Sequence, residues 1–159
     1  MRRLTVILLV LLATGCGGNE PAKPSRVNTC KESDGPTADT VRRATASVPI
    51  ATPGTNWIEI ARGHTTNCRL YWVQIIPTIA SESTPQQLLF FNHNAPLGTP
   101  TPNPKPYITV LPPAVDTVTV QYRWRKGNDE ECCPSGAGTV KFTIGPDGKL
   151  QALGKVPNE

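Results

Sequence analysis

The chain has 159 residues, 38% of them hydrophobic, with 16 Lys and Arg against 12 Asp and Glu for a formal charge of +4. That length and apolar content fit one domain. Half of the charge sits on Arg2 and Arg3, so bulk charge does not select a nucleic-acid or other polyanionic partner.

Arg2 and Arg3 precede an apolar run from Leu4 to Ala13, the pattern of an export signal. The run would make roughly 15 Å of helix, against roughly 30 Å for the hydrocarbon of a bilayer, so it is no ordinary span. Ala13, Thr14 and Gly15 before Cys16 look like a bacterial lipobox, in which the nucleophilic cysteine thiol is alkylated with diacylglycerol and becomes the first residue after cleavage. Residues 1–15 are therefore expected to be a signal peptide. Residues 16–29 are expected to be a lipidated tether, since Gly17 to Thr29 is rich in Gly, Pro, Asn and Ser and has almost nothing to bury. Lipid on Cys16 would hold the mature chain on the outer face of a membrane, because each buried methylene contributes about 0.8 kcal/mol.

Residues 30–159 are expected to form a single domain. Its cysteines, Cys30, Cys68, Cys132 and Cys133, are even in number, and in an oxidising compartment disulfides are the default. Joining Cys132 to its neighbour Cys133 needs a strained ring. The expectation is therefore that Cys30 and Cys68 each bond to one member of the adjacent pair, in an order left open.

From Pro36 to Val48, the residues Ala38, Val41, Ala44 or Thr45, and Val48 fall on one helical stripe, and Pro49 ends it. This is the one helix expected. Downstream, strands are expected at Trp57 to Ala61, Leu70 to Pro77, Gln87 to His93, Tyr107 to Leu111 and Val118 to Arg125. A hairpin of Thr139 to Ile144 and Lys149 to Leu153 turns on Gly145, Pro146, Asp147 and Gly148. In the second strand Leu70, Trp72 and Ile76 oppose Tyr71, Val73 and Ile75, so both faces need cover. In the fifth, Val118, Val120, Tyr122 and Trp124 alternate with polar residues, the period of a half-buried strand. The proline-rich passage from Pro96 to Pro106 has too few amide donors for a sheet interior. It reads as an edge or surface loop and as a candidate contact surface. The expected fold is α+β: one short helix packed on a curved antiparallel sheet of about six or seven strands, stapled by disulfides.

These blocks resemble, in order, those of the LppP/LprE lipoprotein family of actinobacteria. The pieces that carry the resemblance are Gly54 to Trp57, Cys68 to Leu70 with Trp72, Val73 and Gln74, Leu89 to Phe91, and Leu97 to Thr99. Asp116 to Trp124, with Cys132, Cys133 and Pro134, completes the set. The resemblance covers about Cys30 to Val156 and implies an envelope lipoprotein with no catalytic residues to carry over.

Few constellations suggest chemistry. Adjacent cysteines suit zinc badly, and Asp129, Glu130 and Glu131 lack the alternate spacing of a calcium loop, so no metal and no cofactor is expected. His64 and His93 are the only imidazoles, and Ser81 and Ser83 lie outside any Gly-x-Ser-x-Gly motif. Glu59 and Asp116 could pair as carboxylates only if the fold united them. Arg123, Arg125 and Lys126 beside Trp124 read as the wet face of a strand rather than a nucleic-acid surface, and Trp57 and Trp72 as core or rim residues. The expected function is that of an exported, membrane-anchored, non-enzymatic binding or scaffold module with an envelope protein or glycolipid partner. The alternative is a small hydrolase or a lipid or ligand carrier with a pocket between helix and sheet, lined by Trp72, Phe90 and Tyr122.

Overall fold

A computed structural model describes residues 29–50 and 52–157. The signal, the lipidation site Cys16 and residues 17–28 of the tether lie outside the described residues. The rest folds as one short helix and eight antiparallel strands in two four-stranded sheets. Helix α1 spans Ala38–Ala46. The first sheet is β1 (Trp57–His64), β2 (Leu70–Pro77), β3 (Gln87–Asn92) and β4 (Ala95–Gly98), neighbours in that order. The second is β5 (Ile108–Val110), β6 (Val118–Trp124), β7 (Gly136–Ile144) and β8 (Leu150–Leu153), again in chain order.

Two sheets replace the single curved sheet of six or seven strands expected from the sequence, and the cause is visible in β2 and β3. Their alternate residues are apolar on both faces. Leu70, Leu88 and Phe90 point inward against Val120, Tyr122 and Phe142 of the second sheet, and the Phe90 and Phe142 rings lie 5.3 Å apart. Tyr71, Val73, Ile75, Leu89 and Phe91 point outward against Val41 and Val48 beside α1. Each such side chain contributes about 1.5–3 kcal/mol when fully buried, so neither face can be left wet. One layer of sheet with one helix would cover only one of them.

The proline passage makes the division. Residues 99–107 carry the chain from one sheet to the other, and an isolated bridge beside β3 holds them, with Gln86 N–H donating to Lys105 O and Lys105 N–H to Gln86 O, both at 2.9 Å. The passage is a fixed strap rather than a free loop. Thr101 is buried, and the buried Gln87 donates through Nε2 to its carbonyl at 3.0 Å. Strand β4 includes Pro96 and sits at the sheet edge, where a missing amide donor is tolerated. A polar stitch joins the two layers, with Gln74 Nε2 donating to Gln86 Oε1 (2.6 Å) and Ile108 O (3.3 Å).

Local chemistry sets the other boundaries. Thr37 caps α1, its Oγ1 accepting from Thr40 N–H at 3.2 Å, and Asp39 in the first turn pairs with Arg42 and Arg43. The β7–β8 hairpin closes as its turn residues suggest, with Gly145 N–H donating to Lys149 O at 2.8 Å and Gly148 at φ +77°. Strand β1 is poorly covered. It forms a sheet edge with a register shift between Glu59 and Ala61, and Ile58 and Ile60 remain 45% and 49% exposed.

This division of burial predicts unequal mutational costs. Phe90→Ala should destabilise by about 3–5 kcal/mol, whereas Ile60→Ala should stay within about 0.5 kcal/mol. Urea unfolding with the disulfides intact measures both, and comparable losses would contradict the assignment of Phe90 to the inter-sheet core.

Candidate functional site

The N-terminal segment is fastened to the β1–β2 turn by a Cys30–Cys68 disulfide with its Cα atoms 5.4 Å apart. The second disulfide joins Cys132 to Cys133. This corrects the expected crossed pairing of Cys30 and Cys68 with the adjacent cysteines. The reason is distance. The turn carrying Cys68 lies at the Leu70 end of β2, where Thr66 and Asn67 N–H donate to Ala114 and Val115 O. The β6–β7 loop carrying Cys132 and Cys133 lies at the other end, where Glu131 meets Ser83 and Tyr107. Eight residues of β2 span roughly 25 Å, against about 4–7 Å between the Cα atoms of a disulfide.

The turn at Cys68 is rigid for reasons that can be named. Thr65 is fully buried. Its N–H donates to Leu70 O (2.9 Å), its Oγ1 accepts from Leu70 N–H (3.1 Å), and its carbonyl accepts from Cys68 N–H (3.0 Å). Cys68 takes φ +58°, a left-handed conformation that costs a non-glycine residue about 1–3 kcal/mol and persists only where its surroundings hold it.

Beside this bridge opens a cleft of about 290 Å³ lined by Lys31, Gly35, Arg62, His64, Tyr71 and Trp72, among others. The Tyr71 ring sits between His64 and His93, with centroids at 5.4 and 6.0 Å. Gly35 lies against it so closely that a Cβ there would fall 2.9 Å from Tyr71 Cδ1. Tyr71 is only 5% exposed, and its hydroxyl has no hydrogen-bond partner. Burial, helped by the Asp34 carboxylate, raises its pKa, so the phenol stays protonated and can donate. Both imidazoles are oriented by main chain. His64 Nδ1 donates to Thr65 O (3.0 Å) and His93 Nδ1 to Asp34 O (3.2 Å).

Two further depressions, of about 240 and 260 Å³, continue from this cleft along α1 and β1. Arg62 is shared by the cleft and the first of them, and Arg42, Thr45 and Trp57 by both depressions. Together they form one elongated groove. Glu59 accepts from Arg62 Nε (2.5 Å) and Nη2 (2.7 Å), and that pairing raises the guanidinium's pKa. Trp57 Nε1 is the second buried donor of the groove without a partner. An unsatisfied buried polar group costs about 1–3 kcal/mol, and two of them lie along one surface feature.

The residues singled out from the sequence do not converge on a reaction centre. His64 and His93 come to one ring, but Ser81 and Ser83 sit in the β2–β3 loop at the opposite end of β2, where Ser83 meets Glu131. Glu59 faces the α1 groove, while Asp116 lines a small hollow with Asn67 and Arg69. Among the described residues no cluster of three or more metal-ligating side chains occurs. Arg123 and Arg125 donate to Pro134 O (2.6 Å) and Asp129 O (3.0 Å), and the Lys126 amine lies over Trp124, so these side chains order a loop. Phe90 and Tyr122 are packed in the inter-sheet core, with Trp72 partly buried against the same cluster. Sequence periodicity did not reveal the roles of Tyr71, Arg62 and Trp57.

Two outcomes follow. Replacing Cys30 and Cys68 by Ser should cost about 4 kcal/mol, from a sequence separation of 38. Tyr71→Phe should leave stability at neutral pH unchanged or raised, since it removes an unpartnered hydroxyl. Because the folded-state pKa of Tyr71 is raised, its contribution is fully present below about pH 10 and is lost as pH rises through the folded value. The wild-type protein should therefore lose stability relative to Tyr71→Phe under alkaline conditions, and parallel alkaline profiles in denaturant titrations would contradict the burial assigned to Tyr71.

Comparison with known proteins agrees with the resemblance read from the sequence. Residues 62–147 match the model of the LppP/LprE lipoprotein family. The chain is 69% identical over 148 residues to proteins of Mycobacterium bovis and Mycobacterium tuberculosis, each carrying the name "Putative lipoprotein LppP", with 92% of this chain and 85% of each relative covered. No solved structure matches the chain. The two-sheet fold with its groove along α1 and β1 thus belongs to a member of the LppP/LprE lipoprotein family.

Proposed function

We propose that the chain is an exported, membrane-anchored binding module of the cell envelope that holds the polar head of an envelope glycolipid in the groove along α1 and β1. The observation that carries this reading is that Tyr71 and Trp57 both line that groove, each with a donor, Oη and Nε1, that is buried without a partner just beneath its surface. A hydroxyl-rich head group offers acceptors to both. Arg42 of α1 and Arg62 of β1, paired with Asp39 and Glu59, line the same depression and keep further N–H donors for a ligand, and Val48 with the exposed Ile50 gives the far end an apolar lining suited to the root of an acyl chain. The reading is one of binding, with the imidazoles near the cleft held in place by main-chain carbonyls.

Position supports the same ligand. Cys30 lines the cleft, so a tether from a lipidated Cys16 enters the domain at the groove. A tether of about thirteen residues would span roughly 20 Å, which would keep the groove within reach of the membrane surface and its head groups.

Acylated protein incubated with envelope lipid fractions and recovered by affinity should retain a glycolipid. Trp57→Phe and Tyr71→Phe should each weaken retention about two- to tenfold, the range set by one net hydrogen bond of about 0.5–1.5 kcal/mol. Retention insensitive to both substitutions would reject the groove as the site, and chemical turnover of the retained lipid would favour the hydrolase alternative.

A further inference from the structure

The two disulfides differ in what they can do for the fold. Cys30–Cys68 closes a long stretch of chain, with a sequence separation of 38, and its cysteines are half-buried. Cys132–Cys133 spans a single peptide unit and both of its residues are exposed. A bridge between neighbours removes almost no freedom from the unfolded chain, so the usual stabilising role of a disulfide is closed to it.

Nor is it needed to shape its own loop. The Asp129 carboxylate accepts from Lys126 N–H (2.8 Å), Ser135 N–H (2.7 Å) and Ser135 Oγ (2.8 Å), and these bonds lower its pKa. Cys133 N–H donates to Glu130 O (3.1 Å), Arg123 Nη2 to Pro134 O (2.6 Å), and Tyr107 Oη to Glu131 O (2.5 Å). The two cysteine Cα atoms lie 3.8 Å apart, the spacing that a trans peptide fixes whether or not the sulfurs are joined, and the hydrogen bonds above hold the loop around them without the bridge.

We propose that Cys132–Cys133 is a thiol-exchange site, opened by a dithiol and re-closed by exchange with a disulfide, which is itself reduced to two thiols, while Cys30–Cys68 stays intact. A thiolate of the dithiol attacks one sulfur of the pair, forming a mixed disulfide, and the other sulfur leaves as a thiolate that takes a proton from water. The second thiol of the reductant then attacks its own sulfur in the mixed disulfide, after losing its proton, and releases the remaining cysteine as a thiolate that is protonated in turn. The reductant ends as a disulfide, and the Cys132 and Cys133 pair has gained two electrons and two protons. A monothiol performs this poorly. It needs a second molecule to release the remaining cysteine from the mixed disulfide, whereas the dithiol completes that step within the mixed disulfide itself.

The test uses the mature protein, folded and without denaturant. It is treated with graded dithiothreitol, free thiols are blocked with a maleimide, and the labelled positions are mapped by mass spectrometry. Label should appear at Cys132 and Cys133 at reductant concentrations at least tenfold below those that label Cys30 and Cys68, and an equal thiol concentration of 2-mercaptoethanol should leave the pair closed. Simultaneous opening of both bridges, earlier opening of Cys30–Cys68, or equal action of the monothiol would overturn the proposal. A C132S/C133S protein supplies the second measurement. Unfolding close to wild type is expected, and a loss as large as that from removing Cys30–Cys68 would show a structural bridge instead.

Discussion

Apolar side chains on both faces of β2 and β3 constrain everything else in this domain. A strand with one buried face can lie at the surface, but Leu70, Leu88 and Phe90 on one side and Val73, Leu89 and Phe91 on the other require two covering layers. The second sheet supplies one and α1 the other. The order of layers, helix then sheet then sheet, follows from that requirement, and the proline strap exists because the chain must leave the first sheet to build the second.

The same constraint explains why the groove is where it is. Nine residues of α1 reach about 14 Å, enough to shield β3 and part of β2 but too short to seal the β1 edge. Trp57, Glu59 and Arg62 are left beside the helix in a half-covered channel. The Cys30–Cys68 bridge fixes the N-terminal segment over one end of that channel, and Asn94 Oδ1, accepting from Thr37 N–H at 2.9 Å, fixes the start of the helix to the β3–β4 turn. The groove is thus bounded by rigid elements, which favours a preformed site over one assembled on binding.

Much of the fold was legible in the residues. The bounds of β2, the alternating face of β6 and the glycine turn of the β7–β8 hairpin all came from local patterns that tertiary structure did not override, and the stripe of Val41, Ala44 and Val48 located the helix. What was not legible depended on distant parts of the chain. Strand β4 was hidden by Pro96, because an edge position tolerates a proline that a central one would not. The division into two sheets was implicit in the two-faced strands, yet nothing local says whether the second cover is a helix or another sheet. The pairing of the cysteines turned on which end of β2 each occupies, a fact of topology that spacing does not contain. Tyr71 read as one of several apolar strand residues, and its unpartnered hydroxyl emerged only with its neighbours in place.

Strand β2 runs through the middle of the molecule with a separate disulfide at each end. A digest of the unreduced protein, analysed by mass spectrometry for linked peptides, tests it most directly. The account predicts one linkage between the peptides containing Cys30 and Cys68, and a closed Cys132–Cys133 bond within a single peptide. A linkage from Cys30 or Cys68 to either member of the adjacent pair would place both ends of β2 together and contradict the two-sheet arrangement.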